Sequence, residues 1–210
     1  MASLVSLPRV ERYEAQVLTV DQARTLLEVA RGSRLDVLFL VALTTGMRRG
    51  ELLALRWESV DFEKRVLYVR RTVTWIAEFG YVESEPKTKA SRRKIALPGV
   101  VIEALKEHQE RQKQARIEAG EKWQEQGIVF CNIYGGFFNP GHVWYLFKKL
   151  LRKAGLPDVW LHDLRHGVAT VLIAAKVDVK TVQELLGHSS IAVTADIYAH
   201  VVPEMQARNC

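Results

Sequence analysis

The chain has 210 residues, enough for about one domain with a core of its own. Hydrophobic residues make up 48% and charged residues 26%, with only six prolines, a balance that excludes a disordered tail or a proline-rich linker. Thirty Lys and Arg against twenty-four Asp and Glu give +6, which favours a polyanionic partner; the whole surplus lies in residues 64–94, with nine basic and three acidic side chains.

Residues 1–18 are polar and aperiodic and read as a lead-in or linker. Thr19 and Gln22 form a capping box that opens a helix over 20–31. A second, apolar helix follows over 35–45, with Gly46 placed to end it in a left-handed conformation before a helix resumes near Gly50. The period then changes. Val66, Tyr68 and Arg70, and later residues 94–97, are β-rich runs separated by Gly80 and Pro86, which predicts one small antiparallel sheet holding the charge surplus.

Helical spacing returns at Val100, Val101 and Leu105 and continues into a polar face over 107–126. A short strand over 128–130 and a turn at Gly135-Gly136 precede Pro140, which suits the first turn of a helix over 143–153. Three further helices are predicted over 162–175, 179–186 and 190–201, with Gly187 ending the second and Ser189 or Ser190 capping the third. The fold class is mainly α with a small antiparallel β-sheet (α+β).

Cys131 and Cys210 are too few and too far apart for a disulfide framework, so a reducing compartment is the default. The longest apolar run, 35–43, contains Asp36 and is too short for a membrane span, and the N-terminus lacks a secretory pattern. A soluble cytoplasmic protein is expected.

Several segments could carry chemistry. Arg48, in Thr45-Gly46-Met47-Arg48-Arg49-Gly50-Glu51, sits at a break between two apolar helices, where a guanidinium can fork onto phosphate oxygens; the plain alternative is a surface arginine paired with Glu51. His162 and Arg165 share a face at a helix start and suit an anion that must be held and protonated. His162 and His166, four apart, also allow a metal, although no third ligand is obvious. Leu186-Gly187-His188 precedes Tyr198 by ten residues, counted from His188. A phenol becomes a nucleophile only beside bases and positive charges, and the other motifs supply them. Lys87, in the turn region of the basic hairpin, can act as a proton donor to a phosphate, with Lys89 as its rival.

The order Arg48, Lys87, His162-x-x-Arg165, Gly187-His188, Tyr198 closely resembles the tyrosine recombinase (phage integrase) family, over about residues 17–203. The resemblance implies a catalytic domain over 19–203, followed by a tail over 204–210. It implies cleavage and rejoining of DNA through a 3′-phosphotyrosyl link, without metal or nucleotide cofactor. Tyr198 would attack the scissile phosphodiester, and Arg48 and Arg165 would clamp its non-bridging oxygens. His188 would donate a further hydrogen bond, Lys87 would protonate the departing 5′-oxygen, and His162 would assist proton transfer at the tyrosine. Lys89, Arg92 and Arg93, in the basic stretch, are expected along the DNA backbone.

The implied partner is double-stranded DNA at specific recombination sites. The resemblance further implies a homotetramer on DNA for the full-length protein, a monomer for this chain alone, and room for a DNA-bending accessory protein. Family members usually carry a separate helical DNA-binding domain before the catalytic one. Only about eighteen residues precede the first helix here, so a catalytic fragment with weak, salt-sensitive DNA binding is expected. The competing readings are a non-catalytic DNA-binding module, a type IB topoisomerase-like enzyme, and a metal-dependent nuclease using His162, His166 and His188.

Overall fold

The computed structural model describes residues 16–86, 91–188, 190 and 194–195. Helix α1, Val20–Ala30, begins at the expected capping box: Gln22 N donates to Thr19 Oγ1 at 3.2 Å, and Thr19 N donates to Gln22 Oε1 at 2.9 Å. Helix α2, Asp36–Thr45, is apolar on nearly every side and is correspondingly buried. Gly46 ends it at φ +60°. A side chain there would be strained by that φ and would also run into Leu186, so glycine at this position lets a distant helix approach.

Helix α3, Arg49–Leu53, leads into β1, Val60–Asp61. Strand β1 pairs with β2, Val66–Val69, which pairs with β5, Arg93–Ala96, in one antiparallel three-stranded sheet. Strands β3, Thr72–Ile76, and β4, Gly80–Ser84, form a separate hairpin. The single predicted sheet is thus two among the described residues, because β2 pairs with β5 while β3 and β4 pair with each other. The hairpin rests on α3, where a Cβ at Gly50 would stand 2.5 Å from Thr72 Oγ1 and 2.8 Å from Val73 O. Its root is held by Glu83, which accepts from both Arg56 and Arg71.

Helix α4, Gly99–Ala119, buries Val101, Ile102 and Leu105. Its later turns are mostly exposed, as expected, but one side is not solvated, because His108 bonds to Val129 O and Gln112 to Trp57, Ile128 O and Val129 O. The strand predicted over 128–130 is reduced to isolated bridges, Arg56 with Ile128 and Cys131 with Phe137. Asn139 caps helix α5, Pro140–Lys153, accepting from Gly141 N and His142 N, with Pro140 in the first turn. Helices α6, Asp163–Ala174, and α7, Val179–Leu186, follow. Thr194 and Ala195 are helical; the rest of the helix predicted over 190–201, Ser190 apart, lies outside the described residues.

Two hydrophobic clusters result. The larger joins α1 to α5 with the three-stranded sheet, and the smaller consists of Ala169, Ile173, Val182 and Leu186 on α6 and α7. Helix α2 packs on α6 and strand β5 meets α7, so the seam between the clusters runs past Gly46, Arg93 and Gly187.

Candidate active site

Three arginines cross this seam, each donating to a main-chain carbonyl of the other side. Arg48 Nη2 reaches Gly187 O at 2.8 Å, Arg93 Nε reaches Leu185 O at 2.7 Å, and Arg165 Nη1 reaches Gly46 O at 2.7 Å. The α7 carbonyls are orphans of a helix end, which favours cationic partners. Segments that are far apart in sequence are thereby drawn to one place.

Glu51 is the counter-charge. Its carboxylate accepts Arg48 Nη1 at 2.9 Å, the Arg48 main-chain N–H at 2.9 Å, and Arg93 Nη1 and Nη2 at 3.2 and 3.0 Å. Burial alone would raise the Glu51 carboxyl; the hydrogen bonds and charges of Arg93 and Arg48 outweigh it and hold the group below the usual carboxylate range. The plain alternative for Arg48, a pair with Glu51, is therefore realised, but with the carboxylate inside the protein and the arginine still partly open to solvent.

Arg165 is 3% exposed, and its Nη2 is buried without a hydrogen-bond partner. Burial, then the charges of Arg48 and Arg93, push it down to about 9. A buried cation beside two others, with a donor left over, is a site short of negative charge. His188 is buried as well, with Nδ1 2.8 Å from Thr194 Oγ1, which leaves Nε2 as the ring nitrogen able to serve a ligand. Burial, then Arg165, Arg48, His166 and Arg93, press His188 down to about 3. His162, at the N-terminus of α6, is lowered by burial, by His166 and by Arg165. Its ring meets His166 edge-on at 5.2 Å between centroids. The histidines are neutral at pH 7 in the free protein, so a bound anion would raise their affinity for protons.

The structure thus brings together Arg48, His162, Arg165 and His188 of the residues singled out from the sequence. Lys87, Lys89 and Tyr198 lie outside the described residues. Arg92 is exposed and paired with Glu85, whereas Arg93, expected along a DNA backbone, is turned inward onto Glu51 and Leu185. The physical reason is strand alternation: Arg93 opens β5 on the face covered by α3 and α7. Sequence reading missed Arg93 and Glu51 as a buried pair, and nothing in their spacing of 42 residues announces it. Among the described residues no group of three His, Cys, Asp or Glu side chains is arranged to hold a metal ion, and no helix is long and apolar enough to cross a membrane.

Residues 16–205 match the phage integrase family. The chain belongs to that family. Among similar proteins, the tyrosine recombinase XerC-like protein of Caldanaerobacter subterraneus subsp. tengcongensis is 40% identical over 209 residues, covering 93% of this chain and 54% of the relative. An integrase of Streptomyces ambofaciens is 34% identical over 88% of this chain and 49% of its own length. This integrase-family chain therefore spans about half the length of the curated relatives it matches. Among solved structures, the Tn1549 transposon integrase in complex with transposon right end DNA superposes with a TM-score of 0.79 at 25% identity, covering 95% of this chain and 66% of that one. XerA recombinase shares the fold, with a TM-score of 0.73 at 22% identity, covering 97% and 66%.

Proposed function

We propose that this chain is the catalytic part of a site-specific DNA recombinase that cuts and rejoins strands through a 3′-phosphotyrosyl intermediate. The observation that carries the reading is the buried, unpartnered Nη2 of Arg165 beside Arg48 and Arg93, three arginines that share the single carboxylate of Glu51 as their hydrogen-bonded or coulombic counter-charge. One phosphodiester supplies the missing charge, and the charge that grows on its oxygens during displacement is met by donors already in place. Membership of the integrase family and the likeness to an integrase solved with DNA support the same reading.

Tyr198 attacks phosphorus and the 5′-oxygen leaves; the phosphate becomes linked to the tyrosine and the strand ends in a free 5′-hydroxyl. Arg48 and Arg165 hold the two non-bridging oxygens, and His188 donates to one of them through Nε2. His162, largely neutral at pH 7, takes the phenolic proton, and Lys87 or its rival Lys89 delivers one to the departing oxygen. Attack by a 5′-hydroxyl reverses the steps and seals the strand. The bond energy stays in the phosphotyrosyl ester, so the exchange consumes no nucleotide.

The partner is double-stranded DNA at specific sites, contacted in part through Arg92. The longer protein acts as a homotetramer on DNA with a DNA-bending accessory protein, while this chain alone is a monomer that binds DNA weakly and with strong salt dependence. Covalent trapping on a nicked attachment-site substrate tests the reading. A denaturant-resistant protein–DNA adduct is expected, insensitive to EDTA and lost in Tyr198→Phe. An adduct unchanged in that variant removes Tyr198 as the nucleophile, and loss of cleavage on chelation favours the metal-dependent nuclease.

A further inference from the structure

Beside the arginine cluster lies an open groove of about 600 Å³ whose lining includes Arg48, His162 and three tryptophans. Trp75 comes from strand β3, Trp144 from α5, and Trp160 from the turn before α6. They are 48%, 40% and 52% exposed, although indoles are normally among the more buried side chains. Trp160 is held from one side by the Lys148 ammonium, 4.9 Å from its ring centroid, and that ammonium is itself fixed by Asp158 at 2.7 Å and Val159 O at 2.8 Å. Trp75 is braced edge-on by Tyr81 at 4.8 Å. Trp160 and Trp75 are thus held by neighbours while staying about half exposed. Arg49 adds a second positive charge, and no described lining residue is acidic.

We infer that this groove receives one unstacked nucleobase, from a nucleotide next to the phosphate held by Arg48. The inference rests on the DNA strand-transfer reading of the adjoining site. A paired, stacked base offers a protein only its edge, whereas an unstacked base offers a π-face of the size of an indole, and stacking on aromatic walls is tolerant of base identity. The lining fits the same occupant: a nucleotide joins a flat apolar base to an anionic phosphate, and the groove joins three indoles to the cations of Arg48 and Arg49. Breaking the strand at the phosphate frees the neighbouring nucleotide from one of its two tethers, which is when such a receptor is useful.

The test needs no knowledge of the target site. Binding of a fluorescein-labelled oligothymidylate is compared by anisotropy with that of an abasic oligomer bearing the same number of phosphates. The unsubstituted chain is expected to prefer the oligothymidylate by about tenfold. Combined Trp144→Ala and Trp160→Ala should erase that preference without weakening abasic binding, and the corresponding Phe substitutions should keep part of it. Arg48→Ala should weaken both oligomers alike. Equal binding of the two oligomers by the unsubstituted chain, as expected if the groove docks an apolar protein segment instead, overturns the inference. So does a preference that survives the double alanine variant. The first comparison involves no variant, so it stands even if the double substitution unfolds the chain. Loss of the covalent adduct with the preference intact would remove the strand-transfer chemistry and leave the base site, whereas an intact adduct without preference removes the base site alone.

Discussion

Arg93 and Glu51 are joined by two hydrogen bonds, of 3.2 and 3.0 Å, with their side chains only 6% and 3% exposed. One end of this pair lies on a sheet strand and the other on the short helix α3, which Arg48 caps, so the pair fixes the position of a residue it does not include. Glu51→Ala leaves two arginines without their counter-charge. The expected loss is about 3 to 5 kcal/mol of unfolding free energy, read from urea denaturation. A change below about 1 kcal/mol would show that the pair is not structural.

Arg165 presents the opposite balance. Its guanidinium is buried, short of one partner and pressed towards deprotonation, so its presence is a cost to the free protein. Arg165→Met, which keeps much of the volume, is expected to leave stability unchanged or raise it slightly, despite losing the bond to Gly46 O. Adduct formation should meanwhile fall by at least about a hundredfold, as on removal of one transition-state donor. Thermal melts and trapping on the same preparation check both halves.

Acid should loosen the structure before the carboxylates titrate. His188 is held near 3 when folded, against about 6.5 in an unfolded chain, so the unfolded state binds its proton first as pH falls. The stability linked to this group is complete above pH 6.5 and is lost towards pH 3. At pH 5 the loss from His188 alone is about 2 kcal/mol. His162 and His166, both lowered, add in the same direction. His188→Gln should flatten the decline between pH 7 and 5 in chemical denaturation; an unchanged slope would place the titration elsewhere.

Gly46→Ala combines a left-handed backbone with a collision against Leu186. Its cost should exceed the roughly 1 kcal/mol of an ordinary glycine replacement at such a cap, because α7 must move as well. A drop in melting temperature accompanied by weaker DNA binding is expected, since Arg165 bonds to the carbonyl of that residue.

Much of this architecture was legible in advance for local reasons. The Thr19–Gln22 box, the glycine ends of α2 and α7 and the Pro140 start of α5 are all encoded within a few residues. Arg48, His162, Arg165 and His188 were found through motif order, which periodicity does not contain. What escaped was long-range. Strands β3 and β4 stand apart from the three-stranded sheet, and no local pattern distinguishes a hairpin folded away from one folded in. The charge surplus was likewise misleading at single residues: Arg71 is engaged by Glu58 and Glu83, and Arg92 by Glu85, while Arg93 is internal. Net charge counts formal charges and is blind to whether a carboxylate lies beside them.

Among the described residues, the small cluster on α6 and α7 rests on four buried apolar side chains, with Val168, Leu172 and Val177 packed against them. A unit of that size can part from the larger core without general unfolding. Parting would break all three arginine-to-carbonyl bonds at once. On the proposed strand-transfer reading, a change that loosens this joint is expected to disturb Arg48, Arg93 and Arg165 together, and so to lower cutting and rejoining alike.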